Sequence, residues 1–164
     1  MRVLITYGSK HGGTAGIAET ITRAVEAAGG QAILAPAREI KHIHGFDAVI
    51  IGGALYSNRW HRDARSLVRK HAGTLRSVQT WLFSSGPLDD SASDGEIPPV
   101  RQVRALMAKI SARGHATFGG RLEPDVGGFL AANMAKTQAG DWRDNDQITR
   151  WVRDIIAEVG LANA

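Results

Sequence analysis

An open, mainly parallel α/β sheet covered by helices on both faces is the fold class the sequence predicts, and three observations predict it. Short apolar runs rich in β-branched residues alternate with segments whose apolar residues recur at helical spacing. A glycine-rich turn joins the first such run to the first such helix. Most later runs are separated by enough chain for a crossover helix, and right-handed crossovers set helices against a sheet face.

Arg2 to Tyr7 is apolar and β-branched before Gly8, which reads as a strand buried on both faces. From Thr14 the period changes: Ile17, Ala18, Ile21, Ala24, Val25 and Ala28 fall on one helical face, and Gly29 with Gly30 supplies the stop. Gln31 to Ala35 reads as the second strand, Asp47 to Ile51 as the third, Gln79 to Ser84 as the fourth and His115 to Phe118 as the fifth. The link from Pro36 to Phe46 has room for a short helix only. Ala64, Leu67, Val68 and His71 mark a helix ending near Gly73. Val100, Val103, Leu106, Met107 and Ile110 mark another, between Pro98-Pro99 and Gly114. Ile148, Trp151, Val152, Ile155, Ile156 and Val159 mark the last, with Asp144, Asn145 and Asp146 as capping candidates. Before it, Leu122 to Arg143 is an extra segment with a weak helical patch through Phe129, Leu130, Met134 and Ala135. Five such strands predict the order 2-1-3-4-5, with a ligand beyond their carboxyl ends where the first meets the third.

A chain of 164 residues suits one domain, here residues 1–164. Hydrophobic residues make up 43% and charged ones 22%, the balance of a globular protein. Cysteine is absent, which excludes disulfides, thiolate metal sites and redox dithiols, so electron chemistry would need a bound cofactor. The apolar run after Met1 is too short for a signal peptide, and no stretch reaches the ~20 residues of a membrane span, so a cytoplasmic protein is expected. The net charge is +4 and the pI about 9.8. Most of it comes from Arg59, Arg62, Arg65, Arg69, Lys70 and Arg76, and from Arg101, Arg104, Lys109, Arg113 and Arg121. These read as solvated helix faces without a nucleic-acid module, and peripheral contact with an anionic surface stays open. The acids Asp89, Asp90, Asp94 and Glu96 read as a solvated loop, and neither they nor the histidines have metal-ligand spacing.

The loop Gly8-Ser9-Lys10-His11-Gly12-Gly13-Thr14 is an anion cradle. Its glycines let the backbone curl, Ser9 and Thr14 offer hydroxyls, and the next helix points free amides at the same place. A Walker loop fails because Thr14-Ala15 stands where Lys and a hydroxyl residue belong. A dinucleotide fingerprint fails because Lys10 follows Gly8 at the wrong spacing. A receiver domain fails because Gly52-Gly53, not Asp, ends the third strand.

Ile5, Tyr7, Ser9, Gly12, Thr14, Ala18 and Ile21 together resemble the phosphate-loop pattern of the flavodoxin family. Thr6 departs from it, and His11 replaces a second hydroxyl common there. The resemblance implies a flavodoxin-like fold with flavin mononucleotide (FMN) as cofactor, its phosphate held by Ser9, Lys10, His11, Gly12, Gly13 and Thr14. It places the flavin ring between two loops. One carries Ala54, Leu55, Tyr56, Ser57, Asn58 and Trp60, where Tyr56 and Trp60 offer faces for stacking or plug the core. The other is Ser84, Ser85, Gly86, Pro87 and Leu88. His61 and Arg62 are expected to begin the following helix. Gly52 and Gly53 are expected to let the chain leave its strand.

A looser resemblance covers most of the chain. Ile51-Gly52-Gly53-Ala54 leading to Tyr56 and His61, then Lys70-His71 and Gly140-Asp141-Trp142-Arg143-Asp144, is similar to the branch of flavodoxin-type proteins that includes the quinone-linked protoporphyrinogen oxidase. This implies an oxidoreductase acting on a small substrate such as a quinone or protoporphyrinogen, with no acid or base residue identified. A one-electron carrier serving a protein partner, and a flavin-free interaction module, are the alternatives. Arg59 and Arg62 weigh against the carrier, because shuttle flavodoxins are typically acidic where they meet partners.

Overall fold

The computed structural model describes residues 1–10, 12–87, 89–122 and 140–162. Five parallel strands form its sheet: β1 (Arg2–Gly8), β2 (Gln31–Pro36), β3 (Ala48–Tyr56), β5 (Gln79–Ser85) and β6 (Gly114–Phe118). Their order is β2-β1-β3-β5-β6, which is the expected order once the short β4 (Arg59–Trp60) is set aside as a hairpin strand on the end of β3. A separate antiparallel ribbon pairs β7 (Arg121–Leu122) with β8 (Gly140–Asp141). The residues between them, including Phe129, Leu130, Met134 and Ala135, lie outside the described residues.

Alternation along the strands decides which helices cover which face. Val3, Ile5, Ile50, Trp81 and Phe83 point to one side, where α1 (Gly13–Ala27) and α6 (Asn145–Ala162) bring Ile17, Ile21, Val25, Ile148, Val152 and Val159. Leu4, Val49, Ile51 and Leu82 point to the other. There they meet α2 (Arg62–Lys70), α3 (Ala72–Arg76) and α5 (Arg101–Ile110). Each fully buried aliphatic side chain contributes roughly 1.5–3 kcal/mol. A slip of one residue would turn the whole set toward the wrong layer, so the two-sided core fixes the register. Asp144 caps α6 as expected, its Oδ1 accepting from the amides of Asp146 and Gln147 at 2.9 and 3.0 Å.

Three expectations are corrected by packing. Gly52 and Gly53 do not release the chain, because β3 continues through them to Tyr56. Their missing side chains make room for rings: a Cβ at position 52 would collide with Phe83, and one at 53 with the Trp60 indole. Gly73 does not end the helix that begins at Arg62. That helix stops at Lys70 because His71 leaves helical geometry (φ −108, ψ 19), and Gly73 lies inside α3. The acidic loop is not wholly irregular, since Ser91–Asp94 form a short turn of helix, α4. The link after β2 is as short as expected, with one 3₁₀ turn at Ala37–Glu39.

Gly52→Ala should lower stability by about 1–3 kcal/mol through overpacking, read as a fall in the urea midpoint. Adding Phe83→Leu should recover part of that loss, since leucine vacates the contact. Simple additivity of the two changes would show that the ring does not exclude the Cβ.

Candidate functional site

The register brings Gly8, Gly53, Ser84 and Thr117 side by side across β1, β3, β5 and β6. β1, β5 and β6 therefore end at or within a residue of one line, and β3 runs three residues past it to Tyr56. From Gly8 the chain turns into α1 through Gly12, whose φ of 78 is left-handed and favours glycine. No side chain among the described residues caps this helix and its first turn holds no acid, so its free amides and positive dipole end are left available to an anion. Thr14 is 1% exposed, and its buried Oγ1 has no hydrogen-bond partner among the described residues. An unmade hydrogen bond of this kind costs roughly 1–3 kcal/mol, so the hydroxyl suits a ligand that would complete it. Ser9 is half-buried and Lys10 exposed beside it. His11, the remaining residue of the candidate cradle, lies outside the described residues.

A second helix start closes on the same strand end. A Cβ on Gly8 would stand 2.7 Å from His61 Nδ1 and 2.9 Å from the Ala64 nitrogen, so only glycine admits α2 this closely. His61 begins that helix as expected, with Nδ1 accepting from the Asp63 amide at 3.2 Å, which leaves the proton of the neutral ring on Nε2. Burial pushes its pKa down, against the pull of Asp63, and Lys10, Arg62 and Arg65 push it further.

The two candidate aromatics part company. Tyr56 is 38% exposed at the loop face, and its hydroxyl accepts from the Lys10 amide at 3.3 Å, tying the cradle to β3. Trp60 is 1% exposed and lies in the core over Gly53, so it is a plug and not a surface for stacking. The turn between them explains this. Ser57 and Asn58 both have positive φ (48 and 59), and Tyr56 pairs with Arg59. That is a two-residue hairpin of the twisted kind, which folds Trp60 back under β3.

The remaining candidates line the neighbouring loop. Ala54, buried, pairs with Ser85. Leu55 packs on Gly86, where a Cβ would stand 3.1 Å from Leu55 Cδ1. The Gly86 amide donates to the Phe118 carbonyl at 3.3 Å, and the Pro87 carbonyl accepts from the Gly120 amide at 2.7 Å. The loops after β1, β3 and β5 thus converge, with Leu88 outside the described residues. Asp89 stays in its own turn, where hydrogen bonds from Ser91 lower its pKa.

Sequence reasoning missed two features. Gly13 and Gly16 form a notch on α1: a Cβ on Gly13 would stand 3.1 Å from the Arg121 nitrogen, and one on Gly16 would collide with the Arg143 guanidinium. Arg143 is aimed by Asp141, with Nε to Oδ1 at 2.8 Å and Nη2 to Oδ2 at 2.5 Å, and that pairing lowers the Asp141 pKa. Two small residues three apart on a helix were the available signal. The second is His115, whose Nε2 meets Ser84 Oγ at 2.9 Å and whose pKa burial pushes down to about 4. Among the described residues no group of acids and histidines could hold a metal ion, and no helix is long and apolar enough to cross a membrane.

Sheet order and converging loops define a doubly wound α/β protein with its switch point between β1 and β3. More particularly, the chain belongs to the flavodoxin domain family, whose model matches residues 4–141. No curated protein sequence matches it. A point mutant of the flavodoxin from Pseudomonas aeruginosa superposes with a TM-score of 0.64 at 16% identity, covering 98% of this chain and 99% of its own. Two-electron reduced Megasphaera elsdenii flavodoxin gives 0.58 at 21% identity over 70% and 84%. Rubredoxin oxygen:oxidoreductase from Desulfovibrio gigas gives 0.58 at 15% identity, covering 95% of this chain and 37% of that one. At such identities the likeness is one of fold.

His115 should make stability depend on pH. Its folded pKa of about 4 lies below the ordinary 6.5, so the stabilisation is whole above about pH 6.5 and is lost as pH falls toward 4. Against His115→Gln, the parent's advantage should shrink by up to ~3 kcal/mol across that window in urea unfolding. A constant difference would mean that the imidazole is not held neutral.

Proposed function

We propose that the whole chain serves as one FMN-binding domain and passes electrons between the flavin and a small substrate such as a quinone or protoporphyrinogen, in a cytoplasmic setting. The observation that carries the cofactor reading is the buried, unpartnered Thr14 hydroxyl at the uncapped start of α1. Flavodoxins are themselves a type case of flavin binding at this switch point. When bound, the flavin supplies the hydride or electron transfer, and the protein orients it and tunes it.

The roles of the chain's own residues follow from their chemistry. Ser9, Gly12, Gly13 and Thr14 would hold the phosphate, with Lys10 adding charge. Tyr56 would lie against one side of the ring, and the backbone of Ser85, Gly86 and Pro87 would meet its polar edge. Neutral His61, held by the Asp63 amide, keeps α2 against Gly8 without adding charge beside Lys10. The substrate reading rests on the basic flank at Arg59 and Arg62, which draws in anionic molecules.

Titration of flavin-stripped protein should show FMN binding more tightly than FAD, because the loop fits a terminal phosphate and no second nucleotide motif accompanies it. Thr14→Val should weaken FMN by roughly tenfold or more if a hydrogen bond to a charged group contributes ~1.5–3 kcal/mol. Tighter FAD binding, or an unchanged affinity in the variant, would refute the cradle. Anaerobic coulometry of the holoprotein should give a single two-electron step. Two resolved one-electron steps, with exchange to protein acceptors and none to quinones or protoporphyrinogen, would make it a carrier.

A further inference from the structure

A groove of about 640 Å³ runs between the β3–β4 hairpin and α5, lined by Asn58, Arg59, Val100, Arg101, Gln102 and Ala105. Its parts are tied together, since the Trp60 amide donates to Gln102 Oε1 at 2.9 Å across the base of the hairpin. Val100 and Ala105 give it apolar walls, and the exposed guanidinium groups of Arg59 and Arg101 stand at its rim. Arg62 and Arg104, also exposed, extend the positive surface onto α2 and α5. The chain from Arg101 to Arg113 contains no acid, and Asp63 is the one acid from Arg59 to Arg76. The same hairpin carries Tyr56, so whatever fills the groove rests against the segment assigned to the flavin ring.

We propose that this groove docks an acidic protein, which seats one apolar side chain against Val100 and Ala105 and sets carboxylates against Arg59 and Arg101. The proposal rests on the flavin reading only for its purpose: a flavin loaded from one side must unload to another party. Three features choose the occupant. The positive rim calls for a negative partner. The concavity calls for a knob, as in the central pockets of protein interfaces. A bilayer surface would leave a concave groove unfilled, and among the described residues the large exposed apolar side chains are Met1, Tyr56 and Leu161, none of which belongs to the groove.

The test uses the purified, isotope-labelled holoprotein and reads its amide resonances by NMR at low salt. The probes are an acidic plant-type ferredoxin and a basic c-type cytochrome. The ferredoxin should move the amides of Asn58 to Trp60 and Arg101 to Ala105, and the cytochrome should not. Arg59→Glu with Arg101→Glu should raise the ferredoxin dissociation constant by at least about tenfold. Arg69→Glu with Lys70→Glu, the same change in charge at the far end of α2, should have little effect. Ala105→Arg fills the groove while adding positive charge, so weaker binding by this variant would separate a seated side chain from attraction at a distance.

Shifts outside the hairpin and α5, equal response to the cytochrome, or no response at all would overturn the proposal. Groove amides that move with the protein's own concentration would give the site to a second copy. Sedimentation with anionic vesicles that the double reversal abolishes, with ferredoxin binding intact, would give it to a membrane. Amide shifts need no flavin. Groove binding by a chain that takes up no FMN would therefore sink the cofactor reading alone, and a flavin-loaded chain with an inert groove would sink this one alone.

Discussion

The pairing of β1 with β3 is the contact on which the rest of the structure depends. It sets Tyr7 beside Gly52 and Gly8 beside Gly53, and through β3 it aligns Ser84 of β5 and Thr117 of β6 on the same line. The glycines on and beside that line leave no room for a side chain. Gly8 admits the start of α2, Gly52 the Phe83 ring and Gly53 the Trp60 indole. A side chain at any of these positions would push apart two elements that both lead to the candidate site. The sheet thus does two jobs with one register: it separates two apolar layers and delivers three loops to one end.

Electrostatics at that end follows from what the sequence leaves out. α1 begins with no acid in its first turn and no capping side chain among the described residues, so neither of these local devices offsets its positive end. Lys10 stands in the loop, and the Gly13–Gly16 notch seats the Arg121 backbone and the Arg143 guanidinium against the same helix. Asp141 engages Arg143 with both oxygens, which fixes where that cation sits and moderates its charge. Burial keeps the nearby imidazole of His61 uncharged more than exposure would.

Features that depend on local period and local chemistry were legible in the sequence. The apolar face of α1, the short link after β2, the acid cap of α6 and the strand order all follow from spacing, and the turn from β1 into α1 from the glycines that allow it. What was not legible depends on partners distant in sequence. Nothing near Gly52-Gly53 says that rings from Phe83 and Trp60 will lie over them, so a packing requirement looked like a strand exit. Trp60 looked like a loop aromatic because Ser57-Asn58 lacks the glycine that usually announces a tight hairpin turn. The pairing of Ser84 with His115, and the reach of Arg143 to α1, join residues 31 and 127 positions apart in the chain, taking Gly16 as the second contact. No local pattern encodes those distances.

The turn at Ser57-Asn58 has a further consequence. Two adjacent residues with side chains adopt left-handed backbone there, a conformation that costs each of them on the order of 1 kcal/mol. The cost is met by neighbours: Tyr56 and Arg59 pair across the turn, and Trp60 is anchored under the sheet with its amide held by Gln102. The hairpin is therefore a sprung element pinned at its base. Its root cannot shift without lifting an indole out of the core. Tyr56 sits where that pinned strand end meets the turn, so its half-exposed ring is presented from a backbone the core holds in place while its hydroxyl is held by the Lys10 amide.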